Sequence, residues 1–152
     1  MANTFTQLHI QIIFAVKERY CLFRQEHNKP LQKYITGIVK KKDHKLLAIN
    51  NMPDHIHIFI GYNPKEGLSS IIREIKANSS KYINDNNWFK GKFVWQAGYG
   101  AFSYSHSHID QVCKYIENQE KHHQNTTYQE EYKSLLDKFE INYNQKYLLD
   151  WE

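Results

Sequence analysis

Two histidines separated by one residue are the clearest sign of chemistry in this sequence. His55 and His57 alternate with the apolar residues Ile56, Ile58 and Ile60. Because successive side chains of a β-strand point to opposite faces, both imidazoles would lie on one face and the isoleucines would enter the core. Imidazole nitrogens bind divalent transition metals, so the pair predicts a metal site. Two half-exposed strand histidines are the alternative that the pattern leaves open.

A second group of polar side chains would share one face of a helix. Tyr115, Gln119 and His122 are spaced i, i+4 and i+7, away from an apolar stripe formed by Ile109, Val112, Cys113 and Ile116. A tyrosine beside an amide that can bind a metal is what phosphoryl transfer to a phenol needs. The alternative is a structural tyrosine that packs on the sheet at the rim of the core, because it would show the same spacing. His122 and His123 are interpreted as a solvated helix end rather than as metal ligands.

The surrounding segments predict one mixed domain over residues 1–152. Apolar spacing predicts strands at 8–16, 45–51, 55–61 and 93–103, and helices that begin at Pro30, Leu68, His108 and Tyr128. Ser107 followed by Asp110 predicts a capping box for the third helix, which would run to about His123. This order is typical of an α+β protein with a ferredoxin-like antiparallel sheet and packed helices. Residues 125–152 would form a C-terminal helical extension.

Charge is distributed unevenly along the chain. Residues 17–45 hold nine Lys and Arg against three Asp and Glu, residues 65–92 hold six against three, and residues 117–152 hold four against eight. The first two thirds could therefore face a polyanion such as DNA, although solvated surface charge explains the balance equally well.

Cysteine usage and hydropathy indicate a cytoplasmic protein. Cys21 and Cys113 are isolated and match no disulfide or metal-binding pattern, which is typical of a reducing compartment. The sequence has neither a signal-like N-terminal segment nor an apolar stretch of about 20 residues, so no membrane association is expected.

Four segments together resemble the HUH-type single-tyrosine transposases of the insertion sequence 200/605 type. These enzymes move bacterial insertion sequences as single-stranded DNA. Residues 52–57 (MPDHIH) resemble the family's paired-histidine motif, and residues 115–119 (YIENQ) resemble its nucleophile helix. Residues 95–103 (WQAGYGAFS) are similar to a segment common in one branch of the family, and residues 120–123, followed by 129–132, form the fourth match. The matches follow the family's order from about Phe5 to the C-terminus.

The resemblance implies a metal-dependent enzyme with a tyrosine nucleophile on a C-terminal helix. His55, His57 and Gln119 would bind Mg²⁺ or Mn²⁺, and the mixed nitrogen and oxygen ligands suit Mn²⁺ better. Tyr115 would attack the scissile phosphate to give a 5′-phosphotyrosine, which a second 3′-hydroxyl then resolves. A phenol titrates near ~10 in water, so the metal, solvent or a nearby base must help remove its proton.

The expected partners are single-stranded DNA, in the form of hairpins at element ends, and a second copy of the chain. In the family's homodimers the tyrosine helix of one subunit can complete the histidine site of the other. The candidate DNA contacts combine basic residues of the second helix with aromatic residues that could stack on bases: Arg73, Lys76, Lys81, Trp95 and Tyr99.

Other functions fit parts of the pattern. A domesticated relative that acts on host palindromic repeats would share the same chemistry, as would a replication or conjugation nickase, although nickases usually carry further domains. A non-catalytic protein that binds DNA hairpins would not need His55, His57, Tyr115 and Gln119 together. A metal-storage or sensor protein would leave the basic first two thirds unexplained.

Overall fold

A four-stranded antiparallel sheet carries the histidine pair on its second strand from one edge. The computed structural model describes residues 4–143. The strands are β1 (His9–Ala15), β2 (Lys45–Met52), β3 (His55–Gly61) and β4 (Gly100–Tyr104), in the spatial order β2-β3-β1-β4. The helices are α1 (Gln25–Lys41), α2 (Leu68–Asp85), α3 (Ile109–Glu117), α4 (Gln119–His122) and α5 (Tyr128–Lys138). This antiparallel order is ferredoxin-like and confirms the predicted α+β class.

The two faces of the sheet have different roles. On one face, Ile12 and Phe14 of β1 and Ile56 and Ile58 of β3 are almost fully buried in the core that α1 and α2 cover. Burying each such side chain contributes on the order of 1.5–3 kcal/mol relative to leaving it exposed. On the opposite face, α3 and α5 cover the residues that alternate with these. The apolar face therefore stabilises the sheet, while the other face is available for polar side chains.

The first helix begins earlier than the sequence predicts. It starts at Gln25, so Pro30 lies within it instead of opening it. The backbone N–H of Arg24 donates to Nδ1 of His27 (3.1 Å), and the His27 ring stacks on Trp88 (4.5 Å between centroids). Packing between distant segments thus fixes the start of α1 and overrides the usual preference of proline for the first turn.

The third helix ends earlier than predicted. It stops at Glu117, and a separate short helix begins at Gln119. The side-chain amide of Asn50 donates to the carbonyl oxygen of Ile116 (2.8 Å), which a continuous helix would pair with its own backbone. The capping box predicted from Ser107 is also wrong, because the N-cap residue is His108 and no side chain caps it.

The fourth strand begins later than predicted. Within the predicted strand at 93–103, regular pairing starts at Gly100, and Trp95 forms only an isolated bridge with Val16. Gly98 has a φ of 86°, a left-handed conformation that glycine adopts without strain and that interrupts the segment. Helix α5 begins with a Thr127 capping box, and residues 144–152 of the predicted extension lie outside the described residues. None of the helices within residues 4–143 is long and apolar enough to cross a membrane.

Candidate active site

The two strand histidines are buried under helix α5. His55 and His57 lie on the same face of β3, as the alternation predicts, and neither has any exposed surface. Their ring centroids are 5.2 Å apart. The Tyr128 ring of α5 stacks on His55 at 4.4 Å. The alternative of half-exposed strand histidines is therefore wrong.

Each histidine is oriented through its Nδ1 atom. Nδ1 of His55 lies 2.7 Å from Oδ1 of Asp54, and Nδ1 of His57 lies 2.9 Å from the side-chain amide of Gln11 on the neighbouring strand. Hydrogen bonds at one ring nitrogen set the ring orientation and leave the other nitrogen for a ligand. The Nε2 atoms of both rings therefore face the same space between the sheet and α5.

Helix α3 places Tyr115 at this space within the same chain. The ring centroids of Tyr115 and His57 are 5.8 Å apart. Val112 and Ile116, on the neighbouring apolar stripe of the helix, pack against Phe59 of β3. This packing fixes the rotation of α3, so the half-buried Tyr115 ring lies beside His57.

Gln119 reaches the same space from the first turn of α4. Its side chain is fully buried, and its Oε1 lies 3.3 Å from Nε2 of His55. The four residues predicted as nucleophile and metal ligands are thus brought together in one chain.

A carboxylate that the sequence interpretation did not include lies at the centre of the site. Glu131 of α5 is 2% exposed, and its Oε1 is 3.1 Å from Nε2 of His57. Its Oε2 accepts hydrogen bonds from the Tyr115 hydroxyl and from the amide of Gln119, the latter at 3.0 Å. Glu131 therefore contacts both the histidines and the nucleophile candidate.

His123 also joins the site, contrary to the solvated helix end expected for it. Its side chain is 7% exposed, and its Nε2 lies 3.0 Å from Oε1 of Glu131. His122 is more exposed and lies beside Tyr115, with ring centroids 5.2 Å apart. His122 thus remains close to its predicted place, whereas His123 belongs to the buried cluster.

The donor atoms fit one divalent metal ion. One ligand atom from each of His55, His57, His123 and Glu131 lies within 4.8 Å of the other three. Ligands at about 2.1 Å from one ion, separated by roughly 90–109°, stand roughly 3.0–3.4 Å apart. The Nε2 atoms of His57 and His55 lie 3.1 and 3.4 Å from Oε1 of Glu131. Nitrogen with carboxylate oxygen is a donor set that Mn²⁺ accepts.

The charges of these groups depend on one another. Burial alone would lower the pKa of His55, but the carboxylates of Asp54 and Glu131 raise that pKa to about 9. For His57, burial outweighs the attraction of Glu131 and lowers the pKa. Burial and the neighbouring His55 lower the pKa of His123 to about 4. Burial would raise the pKa of Glu131, yet hydrogen bonds from His55 and His57 lower it.

A cleft between α3 and α5 leads to the tyrosine. It has a volume of about 400 Å³ and is lined by Tyr115 and Glu131 at its inner end, together with Tyr104, His108, Gln111 and Lys138. His55, His57 and His123 do not line this cleft, whereas His122 does.

The predicted basic DNA contacts lie away from this cleft. Arg73, Lys76 and Lys81 belong to α2, which covers the other face of the sheet. The Lys76 ammonium donates to the carbonyl oxygens of Gln96 (2.9 Å) and Gly98, and burial lowers the pKa of Lys76 to about 8. Lys76 thus holds the segment before β4 and does not point freely to solvent. Lys81 pairs with Asp85 (2.5 Å), and Arg73 is exposed.

The two aromatic candidates differ in exposure. Trp95 is 4% exposed, its Nε1 donates to the Ser79 hydroxyl (2.9 Å), and its ring packs edge-on against Phe14. The prediction that Trp95 stacks on a base is therefore wrong, because its side chain is buried in the core. Tyr99 is 39% exposed and remains a candidate.

The role of Glu131 left a weak signal in the sequence. Glu131 follows Tyr128 by three residues and precedes Leu135 by four, so it lies on the apolar face of α5. A carboxylate on a buried stripe needs a partner, since burying a charge alone is costly. Gln11 left no comparable signal, because it alternates with the apolar residues Ile10 and Ile12 of β1.

The sequence is similar to those of known transposases. A family model described as "Transposase IS200 like" matches residues 4–119. The ISDra2 transposase TnpA of Deinococcus radiodurans is 23% identical over 120 residues, covering 74% of this chain and 84% of that protein. The transposase for insertion sequence element IS200 of Salmonella typhimurium is 26% identical over 110 residues, covering 64% of this chain and 72% of that protein.

Two solved structures share the fold. A crystal structure of a putative transposase from Deinococcus radiodurans has a TM-score of 0.61 at 23% identity, covering 78% of this chain and 95% of that one. A REP-associated tyrosine transposase bound to a REP hairpin has a TM-score of 0.60 at 15% identity, covering 81% of this chain and 73% of that one. The family model covers Tyr115, His55 and His57 but ends before Glu131. The chain belongs to the IS200-like transposase family.

Proposed function

We propose that this transposase cleaves and rejoins single-stranded DNA at insertion-sequence ends through a 5′-phosphotyrosine on Tyr115. One observation carries the proposal: the Tyr115 ring lies against His57, and its hydroxyl hydrogen-bonds the same carboxylate that contacts that histidine. A nucleophile beside a metal-capable cluster is the arrangement that attack on a phosphodiester requires.

The reaction would proceed in two balanced steps. The Tyr115 oxygen attacks phosphorus, the bond from phosphorus to the 3′-oxygen breaks, and that oxygen takes up a proton from solvent, so the strand leaves with a free 3′-hydroxyl. Glu131 accepts the hydrogen bond of the Tyr115 hydroxyl, so it offers an acceptor for the proton. A second 3′-hydroxyl then attacks the phosphotyrosine and releases the phenol. The covalent link conserves the bond energy, so no nucleotide cofactor is needed.

Mg²⁺ or Mn²⁺ is the proposed cofactor, held by His55 and His57 with Gln119. Such an ion would polarise the phosphate and neutralise the charge that develops on its oxygens. Burial of the ligands keeps bulk water from competing with the phosphate. Asp54 and Gln11 would hold the two imidazoles in place through their Nδ1 atoms.

The proposed substrate is a hairpin with a single-stranded flank, bound in the bacterial cytoplasm. The cleft beside Tyr115 offers Lys138 and Tyr104 to the flank. Arg73, Lys81 and Tyr99 remain the candidates for contact with the remaining DNA. A homodimer is also proposed, although α3 reaches the histidines of its own chain and thus completes the site without an exchange of helices.

The test is a cleavage assay on labelled single-stranded DNA that spans the flanks of the gene. Purified protein is incubated with Mn²⁺ or Mg²⁺, and the products are separated on denaturing gels. We expect a shortened strand and a protein–DNA adduct, both absent without metal and with Tyr115→Phe. Tyr20→Phe is the matched control, because Tyr20 is 65% exposed, lies beside Gly91 and does not line the cleft.

The outcomes separate this proposal from its rivals. Adducts that persist in Tyr115→Phe would show that another residue is the nucleophile. Hairpin binding without cleavage on every flank would favour the non-catalytic binder. Cleavage at palindromic repeats of the host, and not at element ends, would favour the domesticated relative. The neighbour bound to a REP hairpin shares the fold of this chain and does not decide between these two substrates.

A further inference from the structure

Two side chains of the buried cluster lie beyond the segment matched by the family model. That match ends at residue 119, whereas His123 precedes α5 and Glu131 lies within it. Both side chains nevertheless belong to the buried cluster with His55 and His57. We infer that Glu131 is a ligand of the catalytic metal ion and that His123 lies beside it, an inference that rests on the proposed function. Helix α5 would then be part of the active site.

The position of Glu131 is the first observation that carries this inference. Oε1 lies 3.1 Å from Nε2 of His57 and 3.4 Å from Nε2 of His55. Adjacent ligands of one ion have these separations, at roughly 2.1 Å from the ion to each donor. A carboxylate is also the donor that hard divalent ions prefer, whereas two imidazoles and an amide alone lack a negative charge. Glu131 would supply that charge.

The contacts of His123 are the second observation. Nδ1 of His123 lies 2.6 Å from the carbonyl oxygen of Thr126, and this contact orients the ring. Its Nε2 lies 3.0 Å from Oε1 of Glu131, a separation expected of two ligands of one ion. His123 is thus oriented through Nδ1 in the same way as His55 and His57, and its Nε2 meets the carboxylate oxygen that those histidines also approach.

The other carboxylate oxygen connects the ion to the nucleophile. Oε2 of Glu131 accepts the hydrogen bond of the Tyr115 hydroxyl, while Oε1 faces the histidines. One side chain thereby fixes the distance between the ion and the attacking oxygen. Positioning of this kind lowers the entropy cost of reaching the reactive geometry.

The test is Mn²⁺ binding without DNA, measured by titration calorimetry on the full chain. We expect Glu131→Gln to weaken Mn²⁺ binding at least about tenfold, and His57→Ala to weaken it by as much or more. Glu130→Gln is the matched control, because Glu130 is exposed on the same helix and a glutamine keeps its capping box. Circular dichroism shows whether each variant is folded.

A second measurement uses the unaltered protein and does not depend on any variant folding. Hydrogen exchange with and without Mn²⁺ should show slower exchange of α5 amides in the presence of the ion, because Glu131 would link the helix to the sheet. Equal Mn²⁺ affinity for Glu131→Gln and the parent, with loss in His57→Ala, would overturn the inference. Unchanged exchange of α5, or no Mn²⁺ binding by the parent, would also overturn it. The adduct assay on Tyr115 tests the proposed function separately.

Discussion

The side-chain amide nitrogen of Gln11 lies 2.9 Å from Nδ1 of His57, and the Gln11 Oε1 lies 2.9 Å from the Tyr104 hydroxyl. Gln11 is fully buried on β1, so its amide links the rim of the cleft to a proposed metal ligand. The orientation of a side-chain amide follows its hydrogen-bond network. With its amide flipped, the Gln11 oxygen would accept a hydrogen bond from the Nδ1–H group that His57 carries when its Nε2 binds a metal.

Replacing Gln11 with leucine should therefore weaken metal binding. We expect a loss of about 10–100-fold in Mn²⁺ affinity, typical for groups that orient metal-binding histidines. Because leucine leaves His57 and Tyr104 without these hydrogen bonds, it should also lower the free energy of unfolding by about 1–3 kcal/mol. Tyr104→Phe is the control, since it removes only the outer partner. An unchanged Mn²⁺ affinity in folded Gln11→Leu would show that Gln11 does not orient His57.

Metal binding should release about one proton at pH 7.5. The pKa of His55 is raised to about 9 in the metal-free site, so its ring is protonated at neutral pH. Its Nε2 proton occupies the position that the metal needs. The pKa values of His57 and Glu131 are lowered, so these groups have no such proton to lose. Mn²⁺ affinity should then rise about tenfold per pH unit between pH 7 and 9 and level off above that.

Calorimetry in buffers with different ionisation enthalpies measures this proton directly. Asp54→Asn removes one of the two carboxylates that raise the pKa of His55, so we expect it to reduce the proton release. Heat that is independent of the buffer in the parent protein would show that His55 is already neutral before the metal binds.

The sequence predicts those parts of the site that depend on local patterns. It does not predict those that depend on contacts between residues far apart in the chain. The bounds of β3 followed from strict alternation, and the position of Tyr115 followed from the apolar stripe of α3; both patterns are local. The contact between His57 and Glu131 joins residues 74 positions apart and exists only because α5 folds back over the sheet. The end of α3 likewise depends on Asn50 of β2, which no helical pattern indicates.

Gly100 of β4 lies directly beneath α5. A Cβ atom at this position would stand 2.7 Å from Cε1 of Tyr132 and 3.0 Å from Cε2 of Phe102. Gly100→Ala should therefore destabilise the protein by about 1–3 kcal/mol and loosen α5. Gly37→Ala is the matched control: a Cβ on Gly37 would have no heavy atom within 4 Å, and alanine in this helix interior should stabilise by about 1 kcal/mol. Denaturant unfolding measures both changes, and equal effects would contradict the packing of α5 on β4.

Lys138 is the exposed cation in the lining of the cleft beside Tyr115, and its Nζ lies 5.8 Å from the centroid of the Tyr104 ring. If the scissile strand enters this cleft, Lys138 neutralises one phosphate. Lys138→Ala should then weaken binding of single-stranded DNA. It should also reduce the slope of log affinity against log salt concentration by about 0.7 in magnitude. Lys29→Ala is the control, because Lys29 is exposed on α1, across the sheet from the cleft. Fluorescence anisotropy over a range of salt concentrations gives both slopes, and an equal loss in the two variants would place the strand elsewhere.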